Sequence, residues 1–144
     1  MLVHQILKSK ADDAVVTVKS GATIREAADL LAKHGIGSVV ISDDGKQPLG
    51  ILSERDIVRQ LSQRGGTILT ETVKDHMTTK LVTCSREASA DAVLSTMTEK
   101  RFRHMPVVEN GAMVGIITIG DVVKARLSEL KMEKDALEGM IMGY

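Results

Sequence analysis

A hydroxyl and a carboxylate three residues apart occur twice in this chain, each time at the end of an apolar run. The copies are Gly50-Ile51-Leu52-Ser53-Glu54-Arg55-Asp56 and Gly115-Ile116-Ile117-Thr118-Ile119-Gly120-Asp121. In the second copy the apolar run reads as a strand, and Val122 to Leu127 begin a helical pattern. Thr118 and Asp121 therefore fall at a strand-to-helix junction. A helix start carries unpaired N–H groups and a partial positive charge, which suit a phosphate. The Thr118 hydroxyl can add a donor to an oxyanion, and the Asp121 carboxylate can accept from a pair of sugar hydroxyls. Phosphate and ribose together suggest a nucleotide. The plainer reading is a helix cap, a role that Thr and Asp fill at such positions far more often than ligand binding.

The elements that position these groups form a repeat. Residues 1–10 read as a short helix or turn carrying Val3, Ile6 and Leu7 on one side, followed by a β-branched strand, Val15 to Val18. Thr23 precedes Ile24, Ala27, Ala28 and Leu31, the i, i+3, i+4, i+7 spacing of an amphipathic helix that stops at Gly35. A strand over Gly37–Ser42, a turn at Asp43-Asp44-Gly45 and a returning strand over Leu49–Leu52 lead to the Ser53 helix, which Gly65-Gly66 breaks. The second half repeats this order. Val73–Met77 stands for Val3–Leu7 and Leu81–Cys84 for Val15–Val18, while a shift of 66 carries the first helix face onto Ala90, Val93, Leu94 and Met97. Phe102–Val108 and Met113–Ile117 are the next strands around a turn one residue shorter, so a shift of 65 places Gly50 on Gly115, Ser53 on Thr118 and Asp56 on Asp121. A duplicated fold has no need to keep all three at one spacing, and their joint retention favours a ligand site over two caps. The division is 1–64, 65–127 and a helical tail, 128–144.

Composition narrows the function. The 144 residues are 43% apolar, enough for a core, and 19 Lys plus Arg balance 19 Asp plus Glu, leaving no overall field to draw in nucleic acid or an anionic membrane. With one Phe, one Tyr and no Trp, the chain lacks the stacking row that holds single-stranded nucleic acid. The single cysteine, Cys84, excludes an internal disulfide and a Cys cluster for zinc, and its apolar neighbours read as those of a packed thiol. An N-terminus without signal-peptide character, and no apolar run near the roughly 20 residues of a membrane span, point to the cytoplasm. His4, His34 and His76 lie apart with no ligand spacing, so no metal is expected, and no triad is visible around Ser53 or Thr118.

Two β-α-β-β-α units, each closing on Gly-apolar-apolar-Ser/Thr-x-x-Asp, resemble a tandem pair of cystathionine-β-synthase (CBS) domains, the Bateman module. Arg103-His104-Met105-Pro106-Val107-Val108 resembles that family's strand of basic-apolar-Pro-Val-Val form. The likeness runs from about Val3 to Leu127. It implies a mixed α/β fold of two repeats packed with pseudo-twofold symmetry, here with an added C-terminal helix. It also implies a non-catalytic regulatory module that binds an adenine nucleotide in clefts between the repeats: AMP or NAD(H) first, ATP or S-adenosylmethionine also in scope. Carried over, one cleft would use Ser53, Asp56 and Ile51 with Val82-Thr83. The other would use Thr118, Asp121 and Ile116 with Val16-Thr17. Arg103 and His104, followed by Met105, stand where the family places phosphate-binding cations, against Gly37 and Ser38 in the first repeat. That makes the Asp121 cleft the expected phosphate site; at Asp56, Arg55 or Arg59 could compensate, although both also read as ordinary exposed helix residues. The aromatic-poor composition fits a base held by aliphatic and main-chain contacts.

The family also implies a homodimer. Leu127, Leu130, Leu137 and Ile141, interrupted by Lys134, fit either a dimer contact or a helix packed on its own domain. A separate regulated protein is expected as partner. Competing readings are a scaffold with vacant clefts and an enzyme acting on nucleotides.

Overall fold

The computed structural model describes residues 1–10 and 15–143. Its elements are α1 (Val3–Ser9), β1 (Thr17–Val18), α2 (Ile24–His34), β2 (Ser38–Ile41), β3 (Gly50–Ser53), α3 (Glu54–Arg64), 3-10 turns over Gly65–Thr70 and Val73–Asp75, α4 (Ala90–Lys100), β4 (His104–Glu109), β5 (Ala112–Thr118) and α5 (Ile119–Met142). Helix starts follow the expected chemistry: Thr23, Ser53, Ser89 and Thr118 each accept the N–H of the third helical residue. The tail belongs to a single 24-residue helix that begins at the second motif.

The two repeats share a register. In the first, β1 runs parallel to β2 and β2 antiparallel to β3, pairing Ser38 with Ser53. In the second, β4 and β5 are antiparallel and pair His104 with Thr118, the equivalent positions. The strand expected over Leu81–Cys84 is reduced to one parallel bridge, Cys84 to Val107, which repeats the pairing of Val18 with Ile41. Pro106 explains the loss. It stands where Val40 donates its N–H to the Val16 carbonyl at 3.2 Å, and a proline has no N–H to give Val82.

Packing crosses the linear division. Val3, Ile6 and Leu7 of α1 are buried with Ala90, Val93, Met97, Met105, Val107 and Ile117, in the core of the second repeat. Ile68 and Val73 are buried with Ile24, Leu31, Val39, Ile41 and Leu52, in the core of the first. Each repeat is thus completed by the segment that precedes the other in the chain.

That exchange gives both motif glycines a packing reason. A Cβ on Gly50 would lie 2.5 Å from Met77 Sδ and 3.0 Å from the Thr78 carbonyl, and one on Gly115 would lie 2.8 Å from Leu7 Cδ2. Both glycines admit the crossing segment, so their retention reports a close approach and not a ligand.

Candidate functional site

The two motifs fold alike at their helix starts. The Ser53 N–H donates to Asp56 Oδ2 at 2.9 Å, and the Asp56 N–H donates back to Ser53 Oγ at 3.2 Å. Thr118 N–H to Asp121 Oδ2 is 2.9 Å, and Asp121 N–H to Thr118 Oγ1 is 3.1 Å. The plainer reading therefore holds locally: each pair is a reciprocal cap. The cap also fixes the carboxylate, because its Oδ2 is held by the turn in both copies. The amides expected to meet a phosphate are partly taken. Besides the capping bonds, Glu54 N–H donates to the Gly37 carbonyl and Ile119 N–H to the Arg103 carbonyl, both at 2.9 Å. Positive charge for an anion must come mainly from side chains.

Those side chains gather on one side. A cavity of about 690 Å³ lies between the repeats, with Ile51, Ser53, Asp56 and Val82 in its walls, as expected for the first cleft. Arg103 and His104 line this same cavity, as do Arg55 and Arg59. The expectation that Arg103 and His104 serve the Asp121 cleft is corrected. β4 starts beside β2, and a Cβ on Gly37 would lie 3.2 Å from His104 Nε2, so both residues face the side of the pair on which Asp56 lies. Thr118 and Ile119 also border the cavity, whereas Asp121 does not.

The two carboxylates differ in what holds them. Asp56 Oδ1 accepts from Arg59 at 2.8 Å, an ion pair whose arginine side chain is 59% exposed and free to reorient. Asp121 Oδ2 is 2.9 Å from Lys10 Nζ, with both side chains about four-fifths covered. Lys10 also donates to the Ile116 carbonyl at 3.1 Å. Lys10 thus engages the cap-held oxygen of Asp121 and the Ile116 carbonyl together, placing a cation against the second motif.

Other expected residues lie outside the cavity lining. Met105 is buried in the second core, and Ser38 is buried on β2. Thr83 is exposed. Val16 packs against the first core, and Thr17 pairs with Val40. Ile116 pairs with Pro106.

Sequence reasoning missed several wall residues: Thr78, Lys80 and Leu81 on one segment, Lys100, Arg101 and Phe102 on another. Phe102 is the only phenylalanine of the chain, so the sole candidate for stacking, besides Tyr144 outside the described residues, sits where a base could use it. The readable signal was the run Lys100-Arg101-Phe102-Arg103, three cations within four residues. Burial holds the His104 imidazole below its ordinary pKa, with Glu54 pulling it up and Arg103 pushing it further down. Burial pushes the Cys84 thiol up to about 11, so at neutral pH it is a protonated packing group. Among the described residues no cluster of three or more His, Cys, Asp or Glu could hold a metal, and no helix is long and apolar enough to cross a membrane.

Comparison with known proteins agrees with this architecture. The family model described as CBS domain matches twice, over residues 6–63 and 73–128. A crystal structure of a CBS-domain containing protein from Agrobacterium tumefaciens is 45% identical, with 88% of this chain and 99% of that one covered at a TM-score of 0.83. A CBS domain protein from Pyrobaculum aerophilum, complexed with AMP, is 30% identical over 92% of this chain and 99% of that one at a TM-score of 0.77. A CBS domain pair in complex with 5′-methylthioadenosine and S-adenosyl-L-methionine is also 30% identical, over 90% and 98% of the two chains, at a TM-score of 0.77.

Proposed function

This chain belongs to the CBS-domain family, and on that premise we propose that it is a non-catalytic regulatory module that binds one adenine nucleotide in the Asp56 cavity and passes the cell's energy or redox state to a separate protein. The observation that carries the reading is the composition of that cavity. A capped carboxylate, an apolar wall of Ile51, Leu81, Val82 and Phe102, and clustered cations stand together between the repeats. Asp56 would accept from the ribose hydroxyls, the apolar wall would cover the base, and Arg103 with its neighbours would meet phosphate. The adenine ligands of the similar structures, AMP in one and S-adenosyl-L-methionine with 5′-methylthioadenosine in another, support an adenosine unit as the common feature.

Signalling requires that the nucleotide prefer one arrangement of the two repeats. The cavity has walls from both, Ile51 to Asp56 from the first and Phe102 to His104 from the second, so occupancy couples them. A homodimer is supported by the apolar side chains left exposed on the two equivalent helices, Val58 on α3 and Val123 on α5, followed by Leu127, Leu130 and Leu137 along the tail.

Isothermal titration with AMP, ATP, NADH and S-adenosylmethionine tests the reading. Saturable heat with at least one supports it, whereas no heat with any favours the scaffold alternative. Conversion of the nucleotide during prolonged incubation would overturn the non-catalytic assignment.

A further inference from the structure

The chain as a whole is electrically neutral, yet its cavity is not. Six Lys or Arg line it (Arg55, Arg59, Lys80, Lys100, Arg101 and Arg103) against two carboxylates, Glu54 and Asp56, a formal balance of four positive charges. A single phosphate group brings about two negative charges at neutral pH. One such group leaves half of that positive balance uncompensated, and a triphosphate matches it.

The backbone at Arg101 adds a second, independent observation. α2 ends at Gly35 with φ 61° and ψ 40°, and α4 ends at the equivalent residue, Arg101, with φ 59° and ψ 46°. Glycine adopts this left-handed conformation freely, while an arginine does so under strain. The first repeat follows the favourable rule and the second breaks it at a residue whose side chain borders the cavity. Residues held in this conformation cluster at binding and active sites. Lys100 already supplies the basic residue that favours a helix C-terminus, so the helix dipole does not call for Arg101.

We propose that Lys100, Arg101 and Arg103 make the Asp56 cavity selective for adenine nucleotides carrying two or more phosphates over the monophosphate. The inference rests on the nucleotide reading given above and names the ligand class within it. The nucleoside is seated by Asp56 and the apolar wall, and the first phosphate is met by the other lining cations, Arg55, Arg59 and Lys80. The exposed segment joining α4 to β4 then takes the further phosphates, which AMP lacks.

The test is titration of the full chain with AMP, ADP and ATP as sodium salts, for the native protein and Arg101→Gly. The substitution restores the residue that the first repeat uses and relieves the backbone, so the fold is retained. The native protein is expected to bind ATP more tightly than AMP. Arg101→Gly is expected to weaken ATP about tenfold, the scale of one charge-assisted contact, and to move AMP by less than about twofold. Equal native affinities for AMP and ATP, equal losses for both in the variant, or no loss for either would overturn the proposal while leaving the site as a nucleotide site. Binding of none of the three would overturn the nucleotide reading itself.

Discussion

Lys10 Nζ lies 2.9 Å from Asp121 Oδ2, and no equivalent contact exists at Asp56 among the described residues, although Lys80 stands at the matching position and lines the open cavity. One lysine is paired with its motif carboxylate and its counterpart lines the cavity. The native chain should therefore bind a single nucleotide, and Lys10→Met should release Asp121 and the Ile116 carbonyl to a ligand. Titration stoichiometry checks this: a rise from one toward two sites per chain is expected, and two sites in the native protein would refute it.

Gly115→Ala tests the packing account of the motif glycines. The added methyl meets Leu7 in the second core, so a loss of roughly 1–3 kcal/mol of stability is expected from overpacking, read by chemical denaturation. Nucleotide affinity should stay within about twofold, because neither Gly115 nor Leu7 lines the cavity. A drop in affinity without loss of stability would reassign Gly115 to the ligand.

His104 should make the protein less stable in mild acid. Its folded pKa lies below the ordinary 6.5, with burial as the main cause. The unfolded chain therefore binds more protons across that interval, and stability rises with pH there. The penalty is absent above the ordinary value and grows as pH falls through it. Denaturation midpoints between pH 7.5 and 5.5 should drop more in the native protein than in His104→Gln. Parallel curves would show that the imidazole is not held neutral by its surroundings.

Much of the fold was legible because its signals are local. Thr23, Ser53 and Thr118 cap helices through their own side chains, and the Gly35 and Gly65 stops follow from backbone freedom. The shift of 65 to 66 residues read from the sequence also relates the observed pairings Ser38–Ser53 and His104–Thr118. The lost strand at Leu81–Cys84 was hidden in Pro106, whose missing N–H matters only once its partner strand is known. The exchange of α1 and the Ile68–Val73 segment between cores left no trace in apolar periodicity, which records that a face is buried and not against what. Assignment of Arg103 and His104 to the wrong cleft has the same origin. Their type led to the expectation of an anion site, but the side of the pair on which β4 opens is a property of how the repeats face each other. Lys10 was invisible as a partner of Asp121, since nothing local relates the two, more than a hundred residues apart.

The most direct test of the account compares Asp56→Ala with Asp121→Ala in nucleotide titrations, with far-UV circular dichroism confirming that each variant keeps its helices. Both substitutions remove the same cap, so any difference between them reports the clefts. Asp56→Ala should weaken binding by about 1.5–3 kcal/mol, the range for hydrogen bonds to a charged group, and Asp121→Ala should leave the native site within about twofold. Loss of binding in Asp121→Ala with Asp56→Ala unaffected would contradict the account.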